Sequence, residues 1–313
     1  MPTRIALLFS GQGAQQVGMG RDLAEHYAAA ANVFSDGDRV LARSLAHLAF
    51  NGPLEELTQT VNCQPALYLH GLAVWNVLHE TMPDLPIVAA AGLSLGEFTA
   101  HAVAGTFEPQ TGLELVSTRS RLMDLACHEA PGEMAAFVGG DESAVRGIAR
   151  LAEVDVANLN APGQIVLSGR AENIERAIQL AKPHGVRRAV PLTVAGAFHS
   201  RLMQSAENQL RPALEQAAMQ VSKIPVVANV SARPAESTDE IRQQLAAQVT
   251  SSVRWVESIE YMLDELHCDL FLELGPGRVL AGLVDRIRKG TPVLSIENVS
   301  SLDFAVRELR EGS

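Results

Sequence analysis

The sequence predicts an α/β protein: a large domain built on a parallel sheet, with a small ferredoxin-like subdomain inserted into it. Three observations predict this. Short apolar runs stop at glycine turns and pass into helical patterns; one of those turns is a Gly-x-Ser-x-Gly; and residues of about 130–195 follow the order βαββαβ.

Residues 4–9 read as a buried strand ended by the turn Ser10-Gly11-Gln12-Gly13, with a helix from about Gly20. Residues 87–91 are a second buried strand, broken at Gly92 and followed by a helix over 95–104 with Gly105 as its C-terminal stop. Strands alternating with helices imply a parallel sheet. The rhythm then changes: strand over 134–138, helix over 142–152, strands over 154–159 and 165–168, helix over 171–182, strand over 188–194. That order is the ferredoxin-like unit. The chain is therefore divided into a large domain of residues 1–129 and 196–313 and a small subdomain of residues 130–195. After the insertion come a helix over 202–219, a strand over 225–229 and a strand over 270–273 that runs into Gly275-Pro276-Gly277. No repeat, low-complexity tract or long linker is found.

A chain of 313 residues with 47% hydrophobic and 19% charged residues buries a full core, as a soluble globular protein does. Residues 1–9 lack the h-region and cleavage site of a signal peptide, and no stretch nears the roughly 18 apolar residues of a membrane helix. Cys63, Cys127 and Cys268 are widely spaced, against a zinc site or a disulfide framework, and a cytoplasmic location follows. The formal net charge of −11 argues against non-specific nucleic-acid binding. It leaves room for a small anion held by a local cation, but repels an acidic protein unless a basic patch is set aside for it.

Gly92-Leu93-Ser94-Leu95-Gly96 lies between strand and helix, the setting that makes Gly-x-Ser-x-Gly a nucleophile elbow and the large domain α/β-hydrolase-like. The helix starting at Leu95 brings free N–H groups and the positive dipole end to the serine. The plainer reading of Ser94, a helix cap between two glycines, stays open on the motif alone. A serine needs a base, and nine histidines compete. Most lie in predicted helices; His199 instead sits in the loop where the chain leaves the small subdomain, a place that catalytic residues favour. Ser10-Gly11-Gln12-Gly13-Ala14 fits neither a P-loop nor a dinucleotide fingerprint. A turn bringing the Gln12 N–H to the elbow would complete an oxyanion hole with Leu95. His79-Glu80 and His128-Glu129 lack a second histidine at zincin spacing, so no metal is expected.

Together these residues resemble the malonyl-CoA:acyl carrier protein transacylase family, which includes the acyltransferase domains of fatty acid and polyketide synthases. The likeness spans nearly the whole chain. It rests on Gly11-Gln12-Gly13-Ala14-Gln15, Gly92-Leu93-Ser94-Leu95-Gly96-Glu97, Arg119 in Thr118-Arg119-Ser120-Arg121-Leu122-Met123, Asn160-Ala161-Pro162-Gly163-Gln164, Gly196-Ala197-Phe198-His199-Ser200, Gln248 ahead of Val253-Arg254-Trp255, and Glu273-Leu274-Gly275-Pro276-Gly277. The resemblance implies that Ser94 takes the acyl group, His199 is the base, and the N–H groups of Gln12 and Leu95 hold the oxyanion. It implies that Arg119 pairs with the malonyl carboxylate, with Gln248, Asn160 and Phe198 also at the substrate. The histidine is oriented by backbone carbonyls, so no third acidic residue is expected. Malonyl-CoA and an acyl carrier protein are the implied partners, with no cofactor beyond the thioester itself, no membrane, and a monomeric state. Arg187 and Arg188, with Arg278, Arg286, Arg288 and Lys289, match basic stretches of the family and are the expected carrier-protein surface; scattered solvated charges are the alternative.

Two positions depart from the family pattern: Leu93 stands where histidine is usual and Ser120 where glycine is usual. Both bear on acyl specificity, whereas Phe198 points to malonyl by filling the space of an α-methyl group. A polyketide or malonate decarboxylase acyltransferase, a serine hydrolase and a non-catalytic carrier-binding module remain alternatives.

Overall fold

The computed structural model describes residues 4–311; residues 1–3, part of the segment read as lacking a signal peptide, and 312–313 lie outside the described residues. The strands are β1 (Ile5–Phe9), β2 (Ile87–Gly92), β3 (Glu133–Val138), β4 (Asp155–Ala161), β5 (Gln164–Gly169), β6 (Arg188–Pro191), β7 (Val226–Val227), β8 (Leu270–Leu274) and β9 (Val293–Ile296). Five of them form one parallel sheet in the order β7-β2-β1-β8-β9.

β1 is central, and each of its five residues is buried, because helices cover both faces of the sheet. Ile5, Leu7 and Phe9 pack on one side with Leu67, Tyr68 and Val116 of the helices Thr60–Thr81 and Pro109–Glu129. Ala6 and Leu8 pack on the other with Trp255, Ile259, Leu280 and Val284 of the helices Trp255–Asp264 and Val279–Ile287. Among the described residues no helix is long and apolar enough to cross a membrane.

β3 to β6 form a second, antiparallel sheet in the order β4-β5-β3-β6, the ferredoxin-like arrangement expected from the sequence. Its helices Glu142–Ala152 and Ala171–Ala181 close a separate core around Phe137, Ile148, Leu167 and Ile174. Its opposite face gives Met134 and Val166 to the main core.

Some boundaries differ from those read in the sequence. β6 ends at Pro191 because the chain then turns, with Val194 N–H bonded back to Leu192 O. The strand expected over 225–229 shrinks to β7, as Ala228 N–H turns to Arg233 O and Asn229 leaves for the Gly92–Ser94 turn. The helix expected over 202–219 is a 3-10 turn, Arg201–Met203, followed by Gln204–Gln216. The carboxyl ends of β1, β2 and β8 lead to Gln12, Ser94 and Gly275, at the edge of the parallel sheet where open α/β folds bind ligands.

Candidate active site

β2 ends at Gly92 and the chain turns through Leu93 and Ser94 into the helix Leu95–Val103. A Cβ at Gly92 would stand 1.9 Å from the Gly96 carbonyl carbon, and one at Gly96 2.2 Å from Phe9 O, so both positions require glycine. Between them Ser94 adopts φ 54°, ψ −106°, a conformation costing a non-glycine residue of order 1–3 kcal/mol. Asn229 holds the turn from both sides: its Oδ1 accepts from Ser94 N–H at 2.7 Å and its Nδ2 donates to Gly92 O at 2.8 Å.

Ser94 Oγ lies 2.7 Å from His199 Nε2 and 3.0 Å from Arg119 Nη2. His199 Nδ1 lies 2.8 Å from Gln248 O. A carbonyl only accepts, so Nδ1 carries the proton and Nε2 turns its lone pair to the serine. Burial first, and the Arg119 charge second, hold His199 down to about 4. The imidazole is therefore neutral at neutral pH and free to take a proton.

Arg119 is fully buried on the helix Pro109–Glu129. Its Nη1 donates to Gln64 Oε1 at 2.6 Å and its Nη2 to Gln248 Oε1 at 2.9 Å, and the guanidinium lies 5.5 Å over the Phe98 ring. Every acceptor on its Nη atoms (Gln64, Gln248, Ser94) is neutral. A bound carboxylate is a stronger partner than any of them, and the guanidinium fork fits one bidentately. The acid that balances it, Glu97, stands one residue removed: Gln248 Nε2 donates to Glu97 Oε2 at 2.6 Å. Burial lowers Arg119 to about 10, opposed by Glu97, and pushes the Glu97 carboxyl up to about 7, opposed by its hydrogen bonds and by Arg119.

A cavity of about 170 Å³ opens beside Ser94, lined by Gln12, Leu93, Met123, Asn160, Phe198 and His199. Of the residues expected at the acyl group, Ser94, His199, Gln12, Asn160 and Phe198 face this one space, with Asn160 Oδ1 buried and unpartnered beside it, whereas Arg119, Gln248 and Leu95 are buried behind its wall, Arg119 reaching Ser94 Oγ through Nη2. A Cβ at Gly11 would stand 2.4 Å from Leu93 O, so the Gln12 loop lies directly on the elbow. Among the described residues no protein acceptor is bonded to the backbone N–H of Gln12 or Leu95. Of the two departures from the family pattern, Leu93 lines the cavity; Ser120 is turned into its own helix, donating to Ser117 O at 2.9 Å.

The basic residues are only partly gathered. Val138 of β3 is paired on one side with Arg188 and on the other with Gln164, whose side chain receives a hydrogen bond from Arg286; Arg187 packs over the adjoining Gly139. These three arginines share one end of the small sheet with Asp141 and Glu142. Arg278 precedes the first turn of the helix Val279–Ile287, two turns from Arg286, and Arg288 is paired with Asp264. Gln64, Glu97 and Asn229, which bond to the residues around Ser94, are not singled out by the sequence alone. Glu97 stood inside the elbow motif as a polar residue in a buried helix, and Gln64 within an otherwise apolar run; Asn229, an asparagine ending a strand, gave no distinguishing signal.

Residues 6–302 match the family model described as an acyl transferase domain. The chain is 38% identical to the malonyl CoA-acyl carrier protein transacylase of Bacillus subtilis, covering 99% of this chain and 98% of that one. The chain belongs to the malonyl-CoA:acyl carrier protein transacylase family. This acyltransferase is also 40% identical to a polyketide biosynthesis malonyl CoA-acyl carrier protein transacylase of Bacillus velezensis, over 92% of this chain and 98% of the other. It superposes with a TM-score of 0.93, at 35% identity and with 98% of this chain and 100% of the other covered, on a malonyl-transacylase solved in complex with a type II polyketide synthase acyl carrier protein.

Proposed function

We propose that this acyltransferase moves malonyl from malonyl-CoA to the phosphopantetheine thiol of an acyl carrier protein, in two steps through malonyl-Ser94, in cytoplasmic fatty acid biosynthesis. The observation that carries the reading is the convergence of His199 Nε2 and Arg119 Nη2 on one oxygen, Ser94 Oγ. A nucleophile, its base and a buried receptor for a carboxylate meet at one point.

In the first step Ser94 Oγ attacks the thioester carbonyl carbon as His199 Nε2 takes its proton. The C–S bond breaks and coenzyme A leaves with that proton. In the second step His199 takes the proton of the carrier thiol, the thiolate attacks the malonyl ester, and Ser94 Oγ leaves and is reprotonated. Backbone N–H groups of Gln12 and Leu95 hold the oxyanion in both steps. Arg119 binds the free carboxylate, Asn160 faces the arm of the thioester, and Phe198 fills the space that an α-methyl group would need. Residues 1–129 and 196–313 act as the large domain, 130–195 as the small one. The named activities of the relatives support this reading, and the complex with a carrier protein supports a protein acceptor.

Intact-protein mass after mixing with malonyl-CoA tests it: the chain gains one malonyl mass and loses it on addition of carrier protein. Steady release of free malonate without a bound malonyl group would instead mark a hydrolase.

A further inference from the structure

We propose that Glu97 is a positioning residue of this reaction, its one carboxylate oxygen fixing both the turn that carries the nucleophile and the glutamine that holds the base. The inference rests on the acyl-transfer reading above.

Glu97 Oε2 accepts two hydrogen bonds, from Asn229 N–H at 2.9 Å and from Gln248 Nε2 at 2.6 Å. Asn229 is the residue that straps the strained Ser94 turn through Ser94 N–H and Gly92 O. Gln248 is the residue whose backbone carbonyl faces His199 Nδ1, whose Oε1 accepts from Arg119, and whose Nε2 also reaches Ser94 O at 3.0 Å. Nucleophile, base and guanidinium are thus each bonded to Asn229 or Gln248, and both of those are bonded to the same oxygen of Glu97. The guanidinium donor on one side and the Glu97 Oε2 acceptor on the other also fix the Gln248 amide, its oxygen toward Arg119 and its nitrogen toward Glu97.

A carboxylate kept only for packing gains nothing from this site. Glu97 is fully buried and its Oε1 has no hydrogen-bond partner, an arrangement that fold stability alone disfavours. Its place is accounted for by what Oε2 holds.

The test compares Glu97→Met, which keeps the volume and removes both acceptors, with Glu97→Gln, whose amide oxygen can replace Oε2. The readouts are the rate at which a fluorophosphonate labels Ser94, and kcat and KM for malonyl-CoA. Misplacing reacting groups by about 1 Å costs on the order of 100-fold. Glu97→Met is therefore expected to lose roughly 100-fold in labelling rate and in kcat with KM changed less than about threefold, and Glu97→Gln to regain most of the loss. Should Glu97→Met not fold, Glu97→Asp, which withdraws the oxygen by one methylene, carries the same expectation. Wild-type labelling rates in Glu97→Met or Glu97→Asp, or a Glu97→Gln protein no faster than Glu97→Met, would overturn the proposal. A wild-type chain that takes up no malonyl mass would instead overturn the reading of the site.

Discussion

His199 Nδ1 lies 2.8 Å from the backbone carbonyl oxygen of Gln248, so main chain rather than a carboxylate orients this imidazole. A dyad of this kind concentrates proton transfer in one side chain. His199→Ala is expected to slow malonyl-Ser94 formation by about 10²–10⁴-fold in single-turnover measurements. Ser94→Ala should give no malonyl adduct by mass while melting as a folded protein; an adduct persisting on that variant contradicts the assignment of the nucleophile.

Arg119 is expected to govern which acyl group is transferred. Removing the partner of a carboxylate held away from water costs about 2–5 kcal/mol, and acetyl-CoA has no carboxylate to lose. Arg119→Ala should depress malonyl transfer far more than acetyl transfer. Because the Arg119 charge helps to hold His199 down, the acid limb of residual acetyl transfer should also move to higher pH in the variant. Equal losses for both thioesters with an unmoved acid limb would make Arg119 structural.

Three buried histidines set an acid sensitivity. Burial holds His70 and His199 to about 4 and His101 to about 3, each from 6.5. Each binds a proton less readily folded than unfolded, so its contribution to stability is fully present above pH 6.5 and is lost as pH falls toward the folded value. The slope approaches about 1.4 kcal/mol per pH unit per group. Glu97 acts oppositely: raised from 4.5 to about 7, it binds a proton more readily folded, and between those values it favours the folded state as pH falls. Glu273, whose carboxyl burial also pushes up, acts in the same direction as Glu97. With three imidazoles against two carboxyls, the urea midpoint should be lower at pH 5 than at pH 7, and His101→Gln should narrow the difference. A midpoint that rises on acidification would contradict the buried neutral state of these rings.

At the end of the small sheet, Arg188→Glu or Arg286→Glu should raise the KM for carrier protein severalfold and leave malonyl-Ser94 formation from malonyl-CoA near wild type. Wild-type transfer should weaken as salt rises from about 20 to 300 mM, a range that shortens the Debye length severalfold. Insensitivity to salt together with an unchanged KM in both variants would return these arginines to the class of ordinary solvated charges.

The fold was legible where local pattern and tertiary role agree. β1 is an unbroken apolar run because both its faces are covered, and the small sheet reads as βαββαβ because its strands and helices are short and cleanly bounded. Legibility failed where a side chain far away decides the backbone. β7 is cut short because Asn229 is drawn to a turn 135 residues earlier, and no window of local sequence carries that information. The site divides in the same way. Ser94 announces itself by its glycines, whereas Gln64 acts through a hydrogen bond to a residue 55 positions away and looks in sequence like any glutamine.

The groups that meet at Ser94 also differ in when they become available. The serine and the guanidinium belong to the first half of the chain, while the carbonyl facing His199 belongs to residue 248 of 313. A chain emerging from the ribosome at about 5–20 residues per second presents Ser94 well before it contains the carbonyl that faces His199 Nδ1. On the proposed dyad, a fragment ending before Gln248 is expected to carry Ser94 without the carbonyl that faces His199 Nδ1, and so to take up no malonyl mass.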